Sequence, residues 1–481
     1  QIFKMNRARF FGTVVVCSLL GLVLHGTAFS NERPNVILIM ADDLGYGDTG
    51  FNGNTLINTQ HMDRLAERGV VLTHFYSGNS VCSPTRATCL TGRHHDRMGI
   101  WTANAGHLPN EEITLARMLK EKGYATGHFG KWHLGTLSKT ESSKGAKRKP
   151  ALNFAPPWLR DYDASFVTES AVSTWDPGLG KRAIGNPFYE NGVAVDGEDE
   201  SLRGGAARVV VDRMVPFIED AAEEGKPFFT VCWFHAPHED IAAGPEYLKM
   251  YEGHAEGAHY YGCITEMDEQ VGRIVDTLEK TGQFENTLIF FCSDNGPEGK
   301  EAKGRRMGVT DGLRGRKRAL HDGGVRVPAF AVWPGKIEAG TRNDSILTTL
   351  DYFPTIADIV GYEMPDDRPI DGENVLDILQ GEREWRSKSI PFRFSSKNSS
   401  IIRGKYKLLL PEHELYDLSK DRAERKNLAN MKPELVSEMK KELASFFESV
   451  EKSHAGGDYL GDSYKPVDKW RPLRTEPQMK N

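Results

Sequence analysis

A thiol, a proline and an arginine stand at fixed spacing in Cys82-Ser83-Pro84-Thr85-Arg86, and the chemistry they suit is attack on a tetrahedral oxyanion. Ser83 is the expected N-cap of a helix and Pro84 its first residue, where a missing N–H costs nothing. Cys82 then lies just ahead of free N–H groups and a helix dipole that favour an anion. Arg86 adds a forked cation on the same side. Elsewhere, Asp42-Asp43 and Asp294-Asn295 supply four hard oxygen donors, three of them anionic, a set for Ca²⁺ or Mg²⁺ rather than zinc. Lys131 stands two residues from His133, whose imidazole moves protons near neutral pH. Each also has a plain reading: paired acids meet water or cap helices, Asp294-Asn295-Gly296 makes a turn, Lys-x-His sits on a surface loop, and Cys82 is a small buried residue.

Taken together the motifs resemble those of a known family. Cys82–Arg93 is similar to the modification signature of the sulfatases, C-x-P-S-R-x-x-x-L-T-G-R, with Thr85 in place of the usual Ser. Gly130-Lys131-Trp132-His133-Leu134-Gly135 resembles a second signature. Leu313-Arg314-Gly315-Arg316-Lys317, leading to Asp322-Gly323-Gly324-Val325-Arg326-Val327-Pro328, resembles a third, with Asp322 for the usual Glu. Pro237-His238 resembles the Pro-His-x-Pro setting of a catalytic histidine, although Asp240 replaces the second proline and His235 competes for the role.

The resemblance implies an alkaline phosphatase-like α/β sandwich: a large, mostly parallel sheet flanked by helices, plus a smaller C-terminal α+β subdomain with an antiparallel sheet. It implies that Cys82 is oxidised by a formylglycine-generating enzyme to formylglycine, whose hydrate attacks sulfate esters. Asp42, Asp43, Asp294, Asn295 and residue 82 would hold Ca²⁺, with Mg²⁺ as the alternative. Arg86, Lys131 and Lys317 would meet sulfate oxygens, His238 would help the alcohol leave, and His133 would take the proton whose loss expels sulfate. The likeness is nearest to the arylsulfatase and N-acetylgalactosamine-6-sulfatase branch, which implies a sulfated carbohydrate substrate. The rivals are a phosphonate monoester or phosphodiester hydrolase on the same fold, and a sulfated-glycan binding protein in which Cys82 stays a thiol.

Such residues meet only if secondary structure carries them to one place. Asn35–Met40 is a continuous apolar run of the kind found in buried parallel strands, and Asp42-Asp43 follow it. Pro227–Phe234 leads into His235, Thr287–Cys292 leads into Asp294, and Arg326–Trp333 forms a further strand. Helices are expected near 60–68, 112–122 and 258–281. Strands alternating with helices predict an α/β domain, and in open sheets ligands bind beyond the carboxyl ends of the strands. Residues 138–205 lack periodicity and read either as an insertion that borders the site and helps set substrate choice, or as a surface loop. Residues 300–318 hold eight Lys or Arg against two acids, which either guide a polyanion inward or form a solvated loop. Beyond 385, Ile401–Leu410 and Glu414–Leu418 read as strands and Pro433–Val450 as an amphipathic helix. This gives a catalytic domain over 31–384 and a C-terminal subdomain over 385–481.

Composition agrees: 481 residues, 39% hydrophobic and 27% charged with net charge −6, describe a globular chain of two domains with no nucleic-acid partner. Lys4, Arg7 and Arg9 precede an apolar run from Phe10 to Leu24 and the small residues Gly26-Thr27-Ala28. Residues 1–30 therefore read as a signal peptide, with an uncleaved anchor as the alternative. The expectation is an exported protein without a stable membrane partner. The first residue is Gln1, and Met5 is a candidate start. Cys17 leaves with the signal. Cys89, Cys232, Cys263 and Cys292 lack metal-type spacing and read as small buried hydrophobes, their pairing not deducible.

Overall fold

Seven consecutive buried residues make Asn35–Ala41 the strand β1, and a strand buried on both faces needs a layer on each side. Its side chains alternate accordingly: Val36, Leu38 and Met40 enter one core, Ile37, Ile39 and Ala41 the other. The computed structural model describes residues 33–299, 307–459 and 464–466. The expected signal peptide with Cys17, residues 300–306 of the basic stretch, and most of the last twenty residues lie outside the described residues.

After β1 come α1 (Gln60–Glu67), β2 (Val70–Tyr76), α2 (Cys82–Thr91), α3 (Leu115–Glu121), β3 (Ala125–Lys131), β4 (Ala164–Thr168), β5 (Tyr189–Glu190) and β6 (Val193–Ala194). Next are α4 (Ala206–Glu223), β7 (Phe228–Trp233), α5 (Pro245–Met250), α6 (Ala258–Lys280), β8 (Thr287–Ser293), α7 (Asp322–Val325), β9 (Ala329–Val332) and β10 (Thr341–Thr348). Then follow α8 (Tyr352–Ile359), α9 (Leu376–Leu379), β11 (Ile390–Arg393), β12 (Ser399–Arg403), β13 (Tyr406–Leu410), β14 (Glu414–Asp417) and α10 (Pro433–His454).

Ten strands form one sheet in the order β10-β2-β9-β8-β1-β7-β3-β4-β5-β6. Its central strands β8, β1, β7, β3 and β4 run parallel. Residues of α2, α3 and α8 cover one face, residues of α1, α4 and α6 the other. On α6, Ile264, Met267, Val271, Ile274 and Leu278 are buried. Each contributes roughly 1.5–3 kcal/mol relative to exposure, which outweighs the ~1 kcal/mol that each helical glycine, Gly262 and Gly272, costs. The expected α/β sandwich is thus present. Among the described residues no helix is long and apolar enough to cross a membrane.

The remaining four strands form an antiparallel sheet, β11-β12-β13-β14. Ile390, Phe392, Ile402, Leu409 and Tyr416 on one face pack with Tyr76, Val325 and Leu350 of the larger layer. Ile401, Leu408 and Leu415 on the other meet Met439 and Leu443 of α10.

Two expectations change. The stretch 138–205 is not structureless: it holds β4, whose pairing with β3 makes it part of the main sheet, and the β5–β6 hairpin beyond it. Arg326–Trp333 shortens to β9, which pairs antiparallel with both β2 and β8. Cys89, Cys232, Cys263 and Cys292 are buried free thiols, as expected.

Candidate active site

Four neighbouring parallel strands end side by side, and each ends in polar residues. β1 runs into Asp42 and Asp43, β8 into Asp294 and Asn295, β7 into His235 and His238, and β3 closes on Lys131 just before His133. Backbone bonds lock the register: Asp42 N–H donates to Ala236 O at 2.9 Å and Asp294 N–H to Ala41 O at 3.1 Å. Gly130, at φ 102°, lets β3 close on β7, because a Cβ there would lie 2.0 Å from Trp233 O.

Helix α2 starts earlier than the Ser83 cap predicts. Val81 is the N-cap, without a side-chain bond, and Cys82, Ser83 and Pro84 are the first three helical residues. Pro84 is tolerated there because the first-turn N–H groups have no helical partner to lose. The hydroxyl of Thr85 accepts from Asn79 N–H at 3.1 Å and donates to Asn79 O at 3.0 Å, so Thr in place of Ser keeps a working hydroxyl. Cys82 Sγ stands 3.7 Å from Asp42 Oδ1. Burial, with Asp294 adding to it, pushes the thiol up to about 12. Desolvation and the carboxylates thus outweigh the helix terminus expected to favour an anion.

The charges are interlocked. Lys131 Nζ donates to Asp42 Oδ2 at 2.6 Å, and Lys317 Nζ to Asp43 at 2.6 and 2.7 Å. Arg86, wholly buried, donates to Asp294 Oδ2 at 2.7 Å and lies 3.6 Å from Asp42 Oδ2. Arg86 therefore faces the carboxylates from behind rather than the cavity. Burial would raise Asp43, but Lys317 and then His238 hold it well below the usual carboxylate range. Burial and Asp42 push Asp294 up to about 6 against the pull of Arg86.

The donor set fits a hard divalent cation. Asn295 Nδ2 donates to Asp43 Oδ1 at 2.7 Å and to Gly296 O at 2.9 Å. Its Oδ1 is left as a buried acceptor with no partner among the described residues, and a cation would satisfy it. Ligand atoms of Asp42, Asp43, Cys82 and His238 lie within 4.8 Å of one another, so His238 joins a cluster in which the motifs did not place it.

The sulfatase family profile matches residues 34–362, most of the chain. The chain belongs to the sulfatase family. A second profile, "N-sulphoglucosamine sulphohydrolase, C-terminal", matches residues 315–449 of this sulfatase. It is 32% identical to arylsulfatase A of Homo sapiens over 88% of this chain and 89% of that one. It is 31% identical to N-acetylgalactosamine-6-sulfatase of Mus musculus over 82% and 74%. Among solved structures it resembles Ps i-CgsB in complex with k-i-k-neocarrahexaose, at TM-score 0.76 and 25% identity, covering 90% of this chain and 96% of that chain. The protein is a sulfuric ester hydrolase on the alkaline phosphatase-like fold.

The sulfatase cavity, about 210 Å³, is lined by Cys82, Lys131, His133, His238 and Lys317. His235 is not among its walls. That ring is fully buried in a T-shaped contact with Phe188, with neither nitrogen bonded among the described residues, whereas His238 Nε2 lies 3.8 Å from Asp43 Oδ2. His133 Nε2 donates to Asn104 Oδ1 at 2.9 Å as that amide stands, which leaves Nδ1 as an acceptor with no partner among the described residues. Asn104, Lys144, Arg182, Arg318 and Phe394 also line the cavity. Arg318 ends the basic stretch 300–318, whereas Asn104, Lys144, Arg182 and Phe394 were not singled out from the sequence, for they come from loops and from the residue after β11, and no local pattern marks them. Lys144 and Arg182 do fall within 138–205, the stretch expected to border the site.

Proposed function

We propose that this sulfatase removes sulfate from a sulfated carbohydrate, with Cys82 carried as formylglycine and Ca²⁺, or alternatively Mg²⁺, held by Asp42, Asp43, Asp294 and Asn295. The observation that carries the reading is Cys82 itself, on the wall of a cationic cavity and beside three carboxylates and an unsatisfied amide oxygen. A thiol with a pKa pushed up to about 12 is protonated at neutral pH and is a poor nucleophile, which supports conversion to another group. A bound divalent cation would supply charge that makes an oxygen nucleophile available near neutral pH. Lys131 and Lys317, both on the cavity wall, would stabilise charge on sulfate oxygens, and Arg86 would fix the carboxylates beneath. His238, on the cavity wall, would give a proton to the leaving alcohol. His133, oriented by Asn104, presents Nδ1 to take a proton from a hydroxyl on residue 82. The solved neighbour in complex with k-i-k-neocarrahexaose supports a glycan substrate. The basic-then-apolar N-terminus supports export, with a formylglycine-generating enzyme as the maturation partner.

The test is peptide mass spectrometry of the Cys82 segment after co-expression with such an enzyme, alongside Cys82→Ala and Cys82→Ser. The expected outcome is the mass deficit of thiol-to-aldehyde conversion, with turnover of 4-nitrophenyl sulfate faster than of the matching phosphodiester and abolished in both folded variants. Full activity in either variant would sink the reading.

A further inference from the structure

We propose that Lys144 and Arg182 form a second anion-binding subsite at the mouth of the cavity, for a carboxylate or sulfate that the substrate carries beside the ester being cleaved. This rests on the sulfated-carbohydrate reading above and narrows it to saccharides with two acidic groups in reach of one another.

The cavity is lined by five Lys or Arg side chains and, among the described residues, by no Asp or Glu. Three of the five are already matched: Lys131 by Asp42 at 2.6 Å, Lys317 by Asp43 at 2.6 Å, and Arg318 by Glu298 at 2.6 Å. One scissile sulfate engages the first two. The outer pair is then surplus to that reaction. Among the described residues Arg182 has a single loose contact, Nε to Asp240 Oδ1 at 3.5 Å, which steers the guanidinium and leaves its terminal nitrogens for a ligand. Lys144 makes no ion pair among the described residues.

Lys144 is nonetheless held in place. Glu169, immediately after β4, accepts from Ser142 Oγ at 2.6 Å and Ser143 Oγ at 3.1 Å, and Lys144 N–H donates to Ser142 Oγ at 3.1 Å. The backbone oxygen of Glu169 accepts from His133 N–H at 3.0 Å, so the turn bearing Lys144 is tied to the strand end that bears the catalytic candidates. Glu169 is spent on hydroxyls while it offsets Lys144 only in part. Burial, then Arg182 and Lys131, hold the Lys144 ammonium below its usual range. Cations gathered at a mouth without matching acids repel one another, and an arriving anion relieves that repulsion.

Lys144→Gln, Arg182→Gln and the double variant, with Lys144→Arg preserving charge, are to be assayed on 4-nitrophenyl sulfate and on paired sugars. The pairs are N-acetylgalactosamine 6-sulfate against its 4,6-disulfate, and against the 6-sulfate linked to glucuronate. The expected result is a wild-type preference in kcat/KM for a di-acid member. The Gln variants should lower that value about tenfold or more, through KM, with a clearly smaller loss on the mono-acid substrates and rescue by Lys144→Arg. Preference for the disulfate identifies the second group as sulfate, and preference for the uronate as carboxylate. Equal losses on mono- and di-acid substrates, or no wild-type preference, overturn the subsite while the sulfatase reading stands. Turnover of 4-nitrophenyl sulfate but of none of the sugars overturns the carbohydrate reading and the subsite with it.

Discussion

At the scale of the residue, His238 is asked to do two things that conflict. To help an alcohol leave it must carry a proton, yet burial pushes it down to about 3, with Asp43 opposing and Lys317 and Lys131 reinforcing the shift. The imidazole is therefore neutral at pH 7 before substrate arrives, and the negative charge of a bound sulfate ester is what restores its affinity for a proton. The consequence is a dependence on the leaving group. A sugar alkoxide needs the proton, whereas 4-nitrophenolate departs without it. His238→Asn should slow turnover of a sugar sulfate by roughly 10²–10⁴-fold, the usual contribution of general acid catalysis, and that of 4-nitrophenyl sulfate by under about tenfold. Steady-state kinetics on both substrates decide it. Equal losses would assign His238 to holding the cation beside Asp43 instead.

At the scale of the element, α6 organises its neighbours through two acids. Glu266 accepts from Ala207 N–H at 3.3 Å and Arg208 N–H at 2.8 Å at the start of α4, while Asp268 accepts from His61 N–H at 3.0 Å and Met62 N–H at 2.7 Å at the start of α1. Both satisfy orphan helix donors from a distance. Burial nonetheless raises Glu266 from 4.5 to about 8 and Asp268 from 3.8 to about 7. Between each pair of values the folded chain keeps a proton that the unfolded chain has released. Stability should therefore fall as pH rises across that window, by at most ~1.4 kcal/mol per pH unit for each group. Urea unfolding at pH 5, 6.5 and 8 should show the midpoint dropping, and Glu266→Gln should flatten the drop. An unchanged slope would leave the effect with Asp268 and with Asp48, also raised to about 7 by burial. The elements differ in how legible they are. β1, β7 and β8 stand out because burial on both faces demands unbroken apolar runs. The strand Ala164-Ser165-Phe166-Val167-Thr168 is short and mixed, and its identity comes from pairing with β3, which no local pattern encodes. The same division holds at the site. Cys82, Lys131 and Lys317 sit in motifs whose spacing is local, while Asn104, Lys144 and Phe394 reach the cavity only through the tertiary fold.

At the scale of the whole molecule, the smaller sheet is wired to the Asp294–Gly296 loop, proposed to hold the cation, through one buried ammonium. Lys407 of β13 donates to Asp322 Oδ1 at 2.7 Å and lies 3.0 Å from Glu424 Oε1, and all three side chains are inaccessible. Glu424 Oε2 accepts from Asp322 N–H at 2.7 Å, and Asp322 Oδ2 accepts from Tyr76 OH at the end of β2 at 3.0 Å. Two residues on, Gly324 O accepts from Gly296 N–H at 2.9 Å, next to Asn295. That approach is so close that a Cβ at Gly296 would stand 1.9 Å from Gly323 O. Asp322, where Glu is usual in the family, thus acts as a clamp between layers rather than as a wall of the cavity. Removing Lys407 leaves Glu424 buried against Asp322, whose one remaining cation among the described residues is Arg326 at 3.5 Å, and breaking a buried pair from one side costs roughly 3–5 kcal/mol. Lys407→Ala should therefore lower the free energy of unfolding by that much, read as an earlier urea midpoint. Because α7 would lose its anchor, the concentration of Ca²⁺ needed to restore activity after chelation should also rise, by about tenfold, as when outer support of a metal site is lost. The two readouts separate the clamp from its reach. A stability loss with unchanged Ca²⁺ dependence would confine Lys407 to joining the sheets, whereas a shift in both would show that the second sheet helps hold Asn295 in place.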